Sequence, residues 1–203
     1  MVDSETRPKG RPRDPLIREK VLLAAQRVYL ASGLQGFTFE AIAREAGVGK
    51  PALYRRWTST DELMEDVLRW HALVPAEASS GGIREQLVEI AIATLRLSHS
   101  EAGAFALRVS SERGSGGVMF DRYFERFRSV IHSHNRSLVR AAIERGELTP
   151  DRDPDTIVLA ITGAVLVGTL MALAPSPTAD PQAAETYCGR VVDEVLGKRT
   201  AAS

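Results

Sequence analysis

The chain has 203 residues, 44% of them apolar, and its 26 lysines and arginines balance 26 carboxylates at zero formal net charge. This suits a folded soluble protein of one large domain or two small ones, and the net charge by itself names no polyanionic partner. The single cysteine, Cys188, excludes an intrachain disulfide framework and a cysteine-cluster zinc site, and it fits a small buried side chain in a reducing cytoplasm.

The charges are placed unevenly. From Arg7 to Thr60 eleven lysines and arginines face four carboxylates, so the excess cations of the N-terminal third call for an anionic partner. Residues 1–13, MVDSETRPKGRPR, have no apolar periodicity and predict a disordered basic arm. Its Gly10-Arg11-Pro12 core, followed by Arg13, is similar to short arms that lay arginine into an A·T-rich minor groove. No apolar segment of signal-peptide type is evident there. From Pro15 to Ser32 an apolar stripe including Val21, Ala25 and Val28 predicts a scaffold helix that Gly33 closes.

Residues 38–57, TFEAIAREAGVGKPALYRRW, read as two short helices joined by a tight turn. Thr38 is a hydroxyl cap, Glu40 suits the positive end of the helix dipole, and Phe39, Ile42, Ala43 and Ala46 recur at helical spacing. Gly47 ends the first helix; Gly49 and Pro51 open the second. At 100° per residue, Leu53 and Trp57 share the inward side of that second helix and Pro51 and Arg55 fall opposite, flanked by Ala52 and Tyr54. Lys50 lies at its start and Arg56 at the boundary. No carboxylate occurs from Gly47 to Thr60, so this face is expected to meet an anion.

Ser59 and Glu62 form a capping box for a fourth helix running to about Leu73, with Leu63, Met64, Val67, Trp70, His71 and Val74 expected inside. Residues 75–82, PAEASSGG, make the sharpest composition break and mark a domain boundary. Beyond it, helices are expected over 83–99, 102–111 and 118–145, the last ended by Gly146. Phe120, Tyr123, Phe124 and Phe127 crowd one face of that long helix, and with Arg108 and His134 they form a candidate ligand pocket among the helices.

Residues 157–174 carry no charge, yet their threonines, glycines and flanks argue against membrane insertion and for a helix buried on several sides. Together with a final helix over 183–196 it offers more apolar surface than one protomer readily covers. Ile161, Val165, Gly168, Tyr187, Val191 and Val195 are therefore the candidate dimer interface, in an intersubunit four-helix bundle.

Enzyme signals are thin. Gly114-Ser115-Gly116-Gly117 lacks the first glycine of a nucleophile elbow and the last glycine of a dinucleotide fingerprint, and His132 and His134 point to different faces of a helix. No catalytic residue, metal site or cofactor is expected.

These parts, in this order, resemble the TetR family of bacterial transcriptional regulators. The likeness over residues 13–72 rests on Gly33, Phe37-Thr38, Ile42-Ala43, Ala46-Gly47-Val48, Leu53-Tyr54 and Trp57 at fixed spacing; beyond 83 only the architecture matches. The resemblance implies an all-α cytoplasmic homodimer of about nine helices, with a helix-turn-helix domain over 14–74 and an effector-binding and dimerisation domain over 83–199. It implies a ligand pocket in each C-terminal domain; two heads on a two-fold dimer then require a near-palindromic double-stranded operator, and a small apolar or amphipathic effector bound among the second-region helices is expected to release it. By position, Thr38 and Tyr54 would touch phosphates while Lys50, Pro51, Ala52 and Arg55 lie in or beside the major groove. Many relatives carry lysine where this chain has Thr60, so Arg56 or the arm would supply that backbone contact. The alternative is a ligand-independent or nucleoid-associated DNA binder with a filled C-terminal core.

Overall fold

The computed structural model describes residues 15–70, 81–114 and 117–197. The basic arm with Arg11 and Arg13, the composition break at 75–80, and His71 and Val74 lie outside the described residues. Nine helical elements and no strand occur among those described: α1 Pro15–Gly36, α2 Phe39–Ala46, α3 Lys50–Tyr54, α4 Thr60–Trp70, α5 Ile83–Ser98, α6 Glu101–Ser111, α7 Gly117–Glu144, α8 Pro154–Leu170 and α9 Pro181–Leu196. They form two compact units, the first ending at Trp70.

In the first unit Val21, Ala25 and Val28 of α1 are buried, as the stripe predicts, together with Leu22 and Tyr29. Gly33, at φ 63°, breaks the helix, so α1 is two segments joined by a kink. The Tyr29 ring meets Phe37 edge-on at 6.4 Å and anchors the entry to α2. Leu63, Met64 and Val67 of α4 complete the core, with Leu68 beside them. Trp70, expected inside, is exposed; it falls one edge off the 63–64–67–68 stripe.

The α4 cap differs in detail from the expected box. Ser59 Oγ accepts the Glu62 N–H at 3.1 Å. The Glu62 carboxylate reaches one residue further back, accepting from Thr58 N at 2.6 Å and Thr58 Oγ1 at 2.8 Å. Those hydrogen bonds hold the Glu62 carboxyl below its ordinary pKa.

The second unit is built on α5, whose Ile83, Leu87, Ala91 and Leu95 enter one core with Leu138, Val139 and Ala142 of α7, Ile157, Val158, Ile161 and Val165 of α8, and Ala184, Cys188 and Val192 of α9. A two-pronged ion pair joins α5 to α9, with Arg84 Nε 2.7 Å and Nη2 2.8 Å from the two Asp193 oxygens. Gly82 has no side chain to cap α5, and Glu147 does so instead by accepting the Ile83 N–H at 2.6 Å. Cys188 is a fully buried free thiol, and burial pushes its pKa up to about 11.

No helix among the described residues is long and apolar enough to cross a membrane. In α8 the Thr162 and Thr169 hydroxyls donate to the Val158 and Val165 carbonyls one turn back, which satisfies them inside the helix.

Candidate nucleic-acid interface

The turn between α2 and α3 is fixed by its own backbone. Gly47 sits in the left-handed region at φ 60°, its N–H bonded to Arg44 O at 3.2 Å, and the Val48 N–H reaches Ala43 O at 3.0 Å. This paired pattern closes α2 and needs a residue that tolerates positive φ. At the other end Thr38 Oγ1 accepts the Ala41 N–H at 3.2 Å. Helical bonding of α3 continues past its assigned end, since Arg56 N and Trp57 N both donate to Leu53 O, at 2.8 and 2.9 Å.

Leu53 and Trp57 are buried, while Pro51, Tyr54 and Arg55 are exposed and Ala52 and Arg56 are half-buried. Thr38 and Lys50 are also exposed. The Tyr54 ring packs edge-on against Phe39 at 4.8 Å, which restricts where it can swing. The structure thus gathers Thr38, Lys50, Pro51, Ala52, Tyr54, Arg55 and Arg56 on and around the two helices of the turn.

A carboxylate from outside the Gly47–Thr60 stretch reaches this face: Glu40 extends across from α2, and its Oε2 lies 3.0 Å from Lys50 Nζ. The hydrogen bond to Lys50 holds the Glu40 carboxyl below its ordinary pKa. The pair is ten positions apart in sequence, and only the fold of the turn brings them together.

Asp66 is a residue that sequence reading missed. Its Oδ2 accepts the Trp57 indole N–H at 3.0 Å and lies 3.3 Å from Arg18 Nη2; its Oδ1 lies 2.9 Å from Arg69 Nη2. The available signal was Trp57 itself, since a buried indole N–H requires an acceptor.

In the second unit the candidate pocket residues come together only in part. Tyr123 and Phe124 meet edge to face at 5.4 Å, with the Arg113 guanidinium 5.3 Å from the Phe124 ring centre. Phe120 is fully buried, and burial raises the Tyr123 pKa. Arg108 Nε lies 2.9 Å from Glu112 Oε1; His134 is half-buried, and the Phe127 side chain lies outside the described residues.

The candidate dimer residues are redistributed. Ile161 and Val165 are fully buried inside their own chain, and Gly168 is buried where Tyr187 crosses it. A Cβ at position 168 would stand 2.1 Å from the Tyr187 hydroxyl, so the glycine serves contact between α8 and α9. Tyr187, Val191 and Val195 pack partly against the same core. What α8 leaves open is its other side, with Leu159 73%, Val167 53% and Leu170 58% exposed.

An all-helical chain carrying a capped helix, a glycine turn and a cationic second helix belongs to the helix-turn-helix DNA-binding proteins. Residues 21–67 match the model of the bacterial regulatory proteins of the tetR family, and residues 77–195, more than half of the chain, match the tetracyclin repressor-like C-terminal domain. The chain belongs to the TetR family and is a DNA-binding transcriptional regulator. It is 27% identical over 155 residues to the HTH-type transcriptional regulator SrpR of Pseudomonas putida, covering 73% of this chain and 71% of that protein. Over 98 residues it is 33% identical to the HTH-type transcriptional repressor DrrR1 of Streptomyces coeruleorubidus, covering 47% of this chain and 36% of that one. Among solved structures, a transcriptional regulator from Rhodococcus sp. Rha1 has the same fold, with a TM-score of 0.68 at 16% identity over 92% of this chain and 99% of that one.

Proposed function

We propose that this protein is a cytoplasmic, non-catalytic repressor that binds a near-palindromic operator as a homodimer and leaves it when a small apolar or amphipathic effector binds the second unit. The observation that carries the DNA-reading part is the outward face of α3, where exposed Pro51 and Arg55 stand opposite buried Leu53 and Trp57, with exposed Tyr54 on the flank and exposed Lys50 at the helix start. In this reading Tyr54, Lys50 and the Thr38 hydroxyl grip phosphates, Arg55 reads guanine O6 and N7, and Pro51 and Ala52 permit close approach to a thymine methyl. Arg56 and the arm residues Arg11 and Arg13 add backbone and minor-groove contacts. The domain assignments, 14–74 for DNA and 83–199 for effector and dimer, belong to the same reading.

Dimerisation is supported by the open apolar side of α8. At 100° per residue Leu159, Val167 and Leu170 span roughly 80° of the helix circumference, opposite Ile161. A two-fold pairing through that side buries them and sets two heads for half-sites about one helical turn apart, or a multiple. An effector lodged near Tyr123 and Phe124 shifts the dimer only by its differential affinity for the two states; about 5 kcal/mol converts a mostly bound population to a mostly released one.

Selection of bound duplexes from a random pool tests the reading. A symmetric consensus is expected, and a pool that converges on no symmetric sequence would rule the proposal out. Effectors that bind without changing operator affinity would favour the ligand-independent version, for which the buried Phe120 is the supporting observation.

The Glu40–Lys50 pair bears on affinity. An exposed pair of this kind competes weakly with phosphate, so Glu40→Gln should raise affinity for any duplex by about two- to fivefold and steepen its salt dependence by at most about one phosphate contact. Fluorescence anisotropy across a salt series measures both; a loss of affinity would mean that Glu40 positions the ammonium for DNA.

A further inference from the structure

The recognition element is short, and contacts on several sides hold it: the Lys50–Glu40 pair at its start, the Tyr54–Phe39 ring contact on its flank and the buried Leu53 and Trp57 beneath it. Among the residues from Lys50 to Trp57 only Leu53 and Trp57 are buried. Leu53 packs without directional preference. The Trp57 indole donates a 3.0 Å hydrogen bond to Asp66 Oδ2, and Asp66 is itself held from two sides by Arg18 of α1 and Arg69 of α4. Trp57 is joined to α3 by its backbone N–H bond to Leu53 O, and Arg55 lies two residues before it.

Rotation matters at the guanidinium. A side chain about 6 Å from a helix axis moves about 2 Å when the helix turns by roughly 20°, whereas a two-pronged contact tolerates only about 0.5 Å and 10–20°. Phosphate contacts from long, flexible cations are less demanding. A directional tether on the buried side therefore acts on base reading more than on backbone affinity.

We propose that Asp66 is a positioning residue for base recognition, fixing the rotation of α3 through the Trp57 indole so that Arg55 meets its base pair squarely. This rests on the reading of Arg55 as the base-contacting side chain. Arg18 and Arg69 hold the carboxylate in place, and the indole N–H is the element that transmits its position.

The test compares full-length wild type with Trp57→Phe, Asp66→Ala, Asp66→Asn and Arg55→Ala. Each is titrated against the selected operator, the operator with the Arg55-contacted base pair exchanged, and a scrambled duplex. Wild type and Arg55→Ala establish which base pair Arg55 reads; if Arg55→Ala relaxes no base pair, the underlying reading fails. Given that it does, Trp57→Phe and Asp66→Ala should lower discrimination at that base pair by about tenfold, within the range of a lost bidentate contact. Affinity for the scrambled duplex and its salt slope should stay at wild-type values in Trp57→Phe, which changes no charge. Asp66→Asn keeps an oxygen acceptor for the indole and should retain most of the discrimination. In the Arg55→Ala background, Trp57→Phe should cost nothing further at that base pair. Circular dichroism and thermal unfolding identify any variant that is not folded, and Asp66→Asn, which keeps the size and shape of the native side chain, is the mildest change at the tether. Full discrimination in a folded Trp57→Phe, equal loss on all three duplexes, or an Asp66→Asn as impaired as Asp66→Ala would each overturn the proposal.

Discussion

Placing glutamate at both Val167 and Leu170 should leave the protein monomeric and weaken operator binding by about 10²- to 10⁴-fold. Both side chains are more than half exposed in the single chain, so the folded protomer tolerates the charges. A dimer that buries this side of α8 does not, because two carboxylates per protomer would lose hydration without a partner. Each monomeric head retains its own contacts, but the second half-site no longer benefits from the local concentration that the dimer supplies. Sedimentation velocity and operator titration read the two effects. The same substitution at Ile161, which is fully buried within its chain, should instead unfold the second unit. A wild-type monomer, or a double variant that stays dimeric with unchanged operator affinity, would contradict the proposed interface.

The difference between Val167 and Ile161 also marks how far the sequence could be read. Where helices are amphipathic and short, local chemistry sufficed. Thr38, Gly47, Pro51, Leu53 and Trp57 define the helix-turn-helix because caps, positive-φ turns and helical spacing are local properties. The α8 run is apolar all round, so periodicity carries no information about which side meets α5, α7 and α9 and which is left open. The sequence reading placed Ile161 and Val165 on the partner side, and they are in the intrachain core.

Two further features depended on contacts that spacing does not report. Glu40 and Lys50 meet because the α2–α3 turn folds one helix start over the other. Asp66 reads in sequence as one more charge on an amphipathic helix, yet it is the acceptor for Trp57. The aromatic cluster of α7 was legible as density, while its division into a buried Phe120 and a half-buried Tyr123–Phe124 pair depended on the packing around it.

Arg55→Ala and Tyr54→Phe should weaken DNA binding in different ways. If Arg55 reads guanine through two parallel hydrogen bonds, removing it relaxes preference at one base pair per half-site by about 1–3 kcal/mol and leaves other positions unchanged. It also removes a cation, so affinity for all sequences falls modestly and the salt slope becomes shallower. Tyr54→Phe keeps the ring that packs edge-on against Phe39, so stability should hold. The lost hydroxyl is a neutral phosphate donor worth about 1 kcal/mol, and its removal should lower affinity for every sequence alike at an unchanged salt slope. Titrations against a panel of single-base operator variants at several salt concentrations separate these outcomes. Identical profiles for the two variants would show that Arg55 grips the backbone, and base reading would then fall to Lys50, Pro51 and Ala52 at the start of α3.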